Sequence, residues 1–215
     1  DWSSNVCSSD LACCFSIHSI AQPLEESIED VLVSASMVRI SIQRAANAVD
    51  IIDEDELANS ASLDITDLLR NISGLAVSQT GAPGSQTQVR VRGSEANHLL
   101  VIIDGIEANN PGQNDEFTWG TLSPNDIERI EIIKGPQSTM HGSDAMAGVI
   151  NIITKTPKNQ SELRAFLDYG NFQTANRGMS FGSRKEKGSY QISISNLRSD
   201  GENIARQGRE KDGYD

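Results

Sequence analysis

Three short apolar runs, rich in valine and isoleucine, dominate the hydrophobic pattern of this chain. They cover residues 99–103, 130–133 and 149–153, and glycine-containing turn signals stand beside the first two. Runs of this length that are closed by turn residues predict β-strands. The pair Asp104-Gly105, directly after the first run, predicts a tight turn rather than a catalytic carboxylate.

A helix is predicted over residues 64–71. Ile65, Leu68 and Leu69 would share one face of it, and Gly74 provides a stop signal. The β-prone residues 38–53 come earlier and lead into an acidic run, residues 53–56. This run lacks the spaced oxygen ligands and the turn glycine of a calcium loop, so the start of a solvated helix is the preferred interpretation.

The pattern changes after Pro157. Apolar and polar residues alternate over residues 163–169 and 190–194, with a weaker strand at 176–183 and a charged turn at 184–188. Alternation of this kind is typical of lipid-facing strands of a membrane barrel. A soluble antiparallel sheet with one solvated face gives the same pattern and remains open as the alternative.

Composition narrows the function classes. With 215 residues, of which 37% are hydrophobic, the chain can bury one ordinary core and part of a second. The formal net charge of −12 argues against nucleic acid as a partner, because phosphates require a basic surface. No stretch approaches the roughly 20 apolar residues of a membrane helix, although barrel strands of about 10 residues escape that criterion.

The N-terminus carries segments that we exclude from the fold. Residues 1–11 resemble translated sequencing-adapter read-through, and residues 11–22, LACCFSIHSIAQ, resemble the end of a secretory signal peptide cut before Gln22. A buried N-terminal strand is the alternative. All three cysteines lie upstream of the predicted cut, so the mature chain would hold no disulfide.

No motif for catalysis, a resident cofactor or a metal is found. His98 and His141 have no clustered carboxylates nearby in the sequence, which disfavours zinc. Neither a phosphate-binding loop nor a nucleophile elbow is present. The sequence therefore predicts a protein that is not an enzyme.

The order and spacing of several motifs carry a family resemblance. QVRVRG, VIIDG, IERIEIIKGP and GVINIITK follow one another between residues 88 and 155. Together, over residues 29–155, they resemble the plug domain of TonB-dependent outer-membrane receptors, especially the vitamin B12 and siderophore branch. The corner Ser73-Gly74-Leu75 departs from the usual Pro-Gly-Val.

The resemblance implies an α+β plug domain, a small mixed β-sheet with short helices, followed by the first antiparallel strands of a truncated transmembrane β-barrel. It divides the chain into an adapter-like and signal remnant (1–21), a flexible leader (22–38), a plug (39–157) and a barrel start (158–215).

It also implies a TonB box within the leader, an extended segment that a periplasmic energy-coupling protein pulls. Such a segment can add a strand to a partner's sheet, although an ordinary edge strand of the plug would look the same. The box residues are Asp30, Val31, Leu32, Val33, Ser34 and Ala35.

The resemblance also implies that two polar loops, residues 79–86 and 109–119, form the floor of a ligand pocket. Loop aromatics offer contact area at low entropic cost, although two plain surface turns are the alternative for any single residue. The expected substrate-binding residues are Gln79, Thr80, Gln86, Asn109, Asn110, Phe117 and Trp119.

Arg92 and Lys134 each precede a glycine at a strand end. In the family, basic residues at these motifs meet acidic residues of the barrel wall and lock the plug. Lysine stands where arginine is usual in the second motif, which keeps the charge but loses the bidentate fork. A solvent-exposed strand-end cation is the alternative.

These expectations describe an outer-membrane active transporter for a metal chelate such as cobalamin or a ferric siderophore. The implied partners are the TonB protein of the inner membrane, the chelate and outer-membrane lipid, with no nucleic acid and no cofactor. A soluble periplasmic α+β binding or adhesion module is the competing hypothesis.

Overall fold

The computed structural model describes residues 32–33, 40–41, 48–60, 64–81 and 84–201. These residues belong to one compact unit, residues 31–215. The expected adapter, signal peptide and three cysteines lie outside the described residues, as do Asp30, Val31, Ser34 and Ala35 of the expected TonB box.

A five-stranded mixed sheet forms the centre of the fold, in the order β3-β8-β9-β6-β7. Only the β6–β9 pair is parallel, and the other neighbours are antiparallel. All three apolar runs become strands of this sheet. Its strands are β3 (Ala48–Ile52), β6 (Leu99–Ile103), β7 (Ile106–Glu107), β8 (Ile127–Lys134) and β9 (Gly148–Thr154).

Both faces of the central strands are covered, which explains why the apolar runs are continuous rather than alternating. Leu99 and Val101 of β6 point into the larger core cluster. Their neighbours Leu100 and Ile102 point to the opposite face, into a smaller cluster with Val149.

Short helices close the larger core. Helix α1 (Glu54–Asn59) begins at Asp53, whose carboxylate accepts a hydrogen bond from the Glu56 amide at 2.8 Å. The expected helix start in the acidic run is therefore confirmed. Helix α2 (Ile65–Arg70) lies within the residues that the hydrophobic spacing predicted, and Asp64 caps its N-terminus. A third helix, α3, covers Ser138–His141.

Gly74 does not end α2, because the helix stops at Arg70 with Asn71 as its C-terminal cap. The glycine instead turns the chain into a hairpin of β4 (Leu75–Gln79) and β5 (Thr87–Val91) with φ of +84°. The Asp104-Gly105 turn between β6 and β7 is confirmed, with both residues at positive φ.

Short 3-10 turns shape the loops. They cover Ala96–His98, Pro111–Gln113, Trp119–Thr121, Pro124–Asp126 and Ser143–Ala145.

A separate antiparallel sheet follows, in the order β10-β11-β12. It consists of β10 (Glu162–Tyr169), β11 (Ala175–Lys185) and β12 (Gly188–Arg198). The middle strand is longer than the weak strand expected from its sequence. Leu163, Phe181 and Ile192 form one cross-strand row, and all three side chains are exposed. No helix among the described residues is long and apolar enough to cross a membrane.

Candidate functional site

The two polar loops predicted from the sequence meet in the structure and enclose an open cleft of about 690 Å³. This size lies within the range of roughly 300–1,000 Å³ that is usual for small-molecule sites. We call it the loop cleft. Its lining consists of Gly84, Ser85, Gln86, Thr87, Gln88, Gly112, Gln113, Asn114, Glu116, Phe117, Thr118 and Trp119.

The loops touch at a pair of glycines. A Cβ atom added at Gly120 would lie only 2.6 Å from the Gly84 Cα, so side chains larger than hydrogen would drive the loops apart. The first loop is closed at its base, where the Thr80 amide donates to the Gln86 carbonyl at 3.1 Å. Backbone contact between the loops therefore sets the width of the loop cleft.

A polar chain runs beneath the loop cleft. Arg90 donates from its guanidinium to the Gln88 side-chain oxygen at 2.7 Å, and the Gln88 amide nitrogen donates to the Glu116 carboxylate at 2.8 Å. Gln88 thus links the β4–β5 hairpin to the second loop. Because its hydrogen bonds are to charged groups, this bridge is stronger than a neutral one.

Phe117 and Trp119 line the loop cleft from below, but they are core residues. Their side chains are 9% and 4% exposed, and their rings meet edge to face with centroids 4.9 Å apart. The exposure expected of loop aromatics is therefore not found, because the polar residues around them fold over the core cluster that contains both rings.

Two further expected binding residues hold the second loop in place. The Asn109 side chain accepts from the Val101 amide and donates to the carbonyls of Leu99 and Asp115, so it acts as a strand partner for β6. Asn110 accepts from the Gly112 amide at 2.9 Å and caps a 3-10 turn. Neither residue lines the loop cleft.

Gln79 and Thr80 also lie outside the lining, and Gln79 accepts a hydrogen bond from Arg70. The structure adds Gln88, which sequence analysis missed. Its position alternates with the buried Val89 and Val91 along β5, so the strand periodicity already placed it on the opposite face.

The expected locking residues meet at the chain corner. A Cβ atom added at Gly74 would lie 3.7 Å from both the Arg92 and the Lys134 side chains. Lys134 is buried, donates to the Ser73 carbonyl at 2.9 Å and forms an ion pair with Asp50. Arg92 is exposed, at φ of +50°, and has no carboxylate partner among the described residues. Lys134 is therefore occupied within the domain, whereas Arg92 remains available.

Leu32 and Val33 are the described part of the expected TonB box. They form the two-residue strand β1 (Leu32–Val33), which pairs antiparallel with β2 (Ile40–Ser41). The backbone of this segment is thus in the extended conformation that strand addition requires.

A second, smaller cavity of about 360 Å³ separates α1 from the β10–β11 hairpin, and Leu57, Asp168 and Tyr169 are among its lining residues. It brings together none of the expected site residues. Within the described ranges, no three His, Cys, Asp or Glu side chains lie close enough to hold a metal ion.

A protein family and a characterised relative match the sequence of this chain. The sequence profile of the TonB-dependent Receptor Plug Domain matches residues 41–149, just over half of the 215 residues. The iron-regulated outer membrane virulence protein of Vibrio cholerae serotype O1 is 36% identical over 154 residues, which are 68% of this chain and 23% of that protein.

Solved structures show the same fold. The pyoverdine outer membrane receptor FpvA of Pseudomonas aeruginosa, bound to pyoverdine, has a TM-score of 0.65 at 17% identity over 78% of this chain and 24% of its own. The siderophore receptor PirA of Acinetobacter baumannii has a TM-score of 0.56 at 22% identity over 76% of this chain and 26% of its own. The chain thus spans about a quarter of the length of these relatives.

Proposed function

Because this chain belongs to the family of TonB-dependent receptor plug domains, we propose that it supplies the plug and first barrel strands of an outer-membrane receptor that actively imports a ferric siderophore. The observation that carries the proposal is the plug fold, whose two polar loops converge on the loop cleft. The iron-regulated and siderophore-binding relatives favour a ferric siderophore over cobalamin. The receptor would bind and move its substrate without catalysis.

The loop cleft is the proposed plug-side part of the substrate site. Gln86, Gln113, Asn114 and Thr118 present neutral polar groups around its opening. Gln79, Thr80, Asn109 and Asn110 would act indirectly, by fixing the loops that carry these groups. Phe117 and Trp119 would supply the rigid base.

Energy would arrive through the leader. We assign residues 30–35 as the segment that the TonB protein engages, with Leu32 and Val33 supplying the extended backbone for strand addition. In this arrangement residues 1–21 precede the mature chain, residues 22–38 form the leader, residues 39–157 the plug and residues 158–215 the start of the barrel.

The sheet β10–β12 would face outer-membrane lipid. Its exposed rows, Leu163–Phe181–Ile192 and Ala165–Met179–Ile194, place apolar side chains on one face. The other face carries Gly178 and Gly182, and a Cβ at Gly182 would lie 2.4 Å from the Pro157 Cγ. The absence of a side chain at Gly182 lets Pro157 pack closely against this face. We assign Arg92 as the cation of the plug that contacts the barrel wall. Lys134 would support this corner from within the plug.

The test replaces Leu32 by proline in the full-length receptor. The variant is expressed in a Gram-negative bacterium that lacks its own siderophore receptors. Proline removes a backbone donor and blocks strand addition, so iron uptake should fall to the level of a host without TonB. Substrate binding to isolated membranes should stay unchanged. Leu32→Val, which keeps β propensity, is the matched control and should retain uptake. Normal iron uptake by the Leu32→Pro variant would contradict the assignment of residues 30–35 as the TonB box.

A further inference from the structure

The lining of the loop cleft, as far as the structure describes it, contains no basic side chain. Among its described residues the only ionisable group is the Glu116 carboxylate. The sequence of the two loops agrees, because residues 79–88 and 109–121 contain Asp115 and Glu116 and no lysine, arginine or histidine. An anionic ligand would therefore meet fixed negative charge at this floor.

Arg90 is a described cation that is hydrogen-bonded to a lining residue of the loop cleft but is not itself part of the lining. Arg90 lies one alternation below Gln88 on β5, and its guanidinium is bonded to the Gln88 oxygen. Gln88 in turn donates to Glu116, so Gln88 stands between the Arg90 guanidinium and the Glu116 carboxylate. Lys134, at the other end of the hairpin, is buried against Asp50 and the Ser73 carbonyl.

The remaining lining groups are neutral and bifunctional. The side chains of Gln86, Gln113 and Asn114 are exposed at the loop cleft, and each amide offers both donors and an acceptor. Thr118 donates its hydroxyl hydrogen to the Gln113 oxygen at 2.8 Å, which directs the Gln113 nitrogen donors away from that contact. Such groups pair well with amide, hydroxyl and hydroxamate groups. They carry no positive charge to offset the cost of taking a multiply charged anion out of water.

We propose that the plug face of this receptor recognises an electrically neutral ferric chelate through amide and hydroxyl groups, and that it disfavours anionic chelates such as tris-catecholates. The proposal rests on the function proposed above and adds the charge class of the substrate.

The experiment titrates the purified full-length receptor with two probes at equilibrium. Ferrichrome is a neutral ferric tris-hydroxamate, and ferric enterobactin is an anionic ferric tris-catecholate. Ferrichrome should bind at least tenfold more tightly. Its affinity should change little with ionic strength, because no charge attraction is involved.

Gln113→Lys places a cation in the loop cleft. This variant should weaken ferrichrome binding and narrow the preference over ferric enterobactin. Ser161→Lys, an exposed position outside the cleft lining, makes the same change in net charge and should leave both affinities as they are.

Tighter binding of ferric enterobactin by the unmodified receptor would overturn the charge class while leaving the receptor function in place. A tenfold gain in ferrichrome affinity from Gln113→Lys would also overturn it. Failure of both ferric chelates to bind would contradict the proposed siderophore function and, because it rests on that function, the proposed charge class as well.

Discussion

At the scale of single residues, Lys134 joins three segments that are distant in sequence. It ends β8, pairs with Asp50 on the neighbouring strand β3 and donates to the Ser73 carbonyl at the corner after α2. Its side chain is 8% exposed, whereas that of Asp50 is 36% exposed. The sequence located this cation at a strand end, but it could not show that its partners lie within the same domain, because both contacts depend on tertiary packing.

Lys134→Met is expected to lower the free energy of unfolding of the plug by about 1–3 kcal/mol, since it removes a buried donor and leaves Asp50 and the Ser73 carbonyl without it. Urea denaturation of residues 22–157 measures this, with Trp119 as the only tryptophan of that segment. Lys155→Met is the matched control. It removes the same charge from the more open Glu54 pair and should cost less than about 1 kcal/mol. Equal losses in the two variants would contradict the role of Lys134.

Trp119 illustrates a second limit at the residue scale. Its neighbours are glycine and threonine, so local polarity indicated an exposed loop, yet a 3-10 turn directs the ring onto the core cluster that contains Leu99 and Ile130. A hydrophobic residue in a polar loop faces the core whenever the loop folds back over it, and single-sequence periodicity does not detect this in so short a turn.

Trp119→Ala should lower the free energy of unfolding by about 3–5 kcal/mol, because it leaves a cavity beneath Phe117. Circular dichroism during urea denaturation gives the value without the tryptophan signal. Ile106→Ala, at a side chain that is 73% exposed, should cost less than about 1 kcal/mol. Any loss of substrate binding in Trp119→Ala should track the loss of fold. A fully stable variant with weakened binding would instead make Trp119 a direct ligand contact.

At the scale of elements, prediction succeeded where burial and periodicity act together. The apolar runs became β6, β8 and β9 because both sheet faces are covered. Helix α2 formed at its predicted residues because Asp64 caps it and Ile65, Leu68 and Leu69 are buried. The pairing order of the sheet was not predictable, since the parallel β6–β9 contact joins residues about 50 positions apart that carry no local signal.

Helix α1 is tied to the connection that follows β9. Glu54 forms ion pairs with Lys155 at 3.3 Å and Lys158 at 3.5 Å. Burial on its own raises the pKa of Glu54, but the hydrogen bonds and charges of Lys155 and Lys158 together outweigh it, so the pKa lies below its ordinary value. The ionised carboxylate is therefore favoured in the folded state.

Because this pKa is lowered by folding, the stabilisation is complete above the ordinary glutamate pKa and is lost as pH falls through the lowered folded value. Glu54→Gln removes this dependence. Urea denaturation of residues 22–158 across this acidic range should show wild type and variant converging as pH falls. The difference should also shrink with added salt, because Glu54 is well exposed. A difference that does not change with pH would refute the linkage.

At the scale of the whole molecule, two sheets with different surfaces share one chain. Both faces of the central sheet are covered by apolar side chains of the plug, as in a protein that folds in water. The β10–β12 sheet exposes large apolar side chains on one face, in which Leu167 is 76%, Ile194 68% and Ile192 63% exposed. Sequence alternation predicted these strands, but it could not by itself distinguish lipid from a second protein layer as the cover; plug-family membership favours lipid.

Residues 22–157 expressed alone should therefore be soluble and monomeric with a marginally stable fold, whereas residues 158–215 alone should be disordered or aggregate. Within the described sheet, β10 and β12 each have one unpaired edge, and an edge beside an exposed apolar face invites association with other chains. Size-exclusion chromatography and circular dichroism of the two pieces test this difference in solubility and folding.

Hydrogen exchange of the 215-residue chain in detergent-free buffer tests whether the second sheet requires lipid. Residues 163–197 should exchange rapidly, while β6, β8 and β9 stay protected. Slow exchange throughout residues 163–197 would mean a closed, water-soluble sheet and would favour a soluble periplasmic binding module over the barrel.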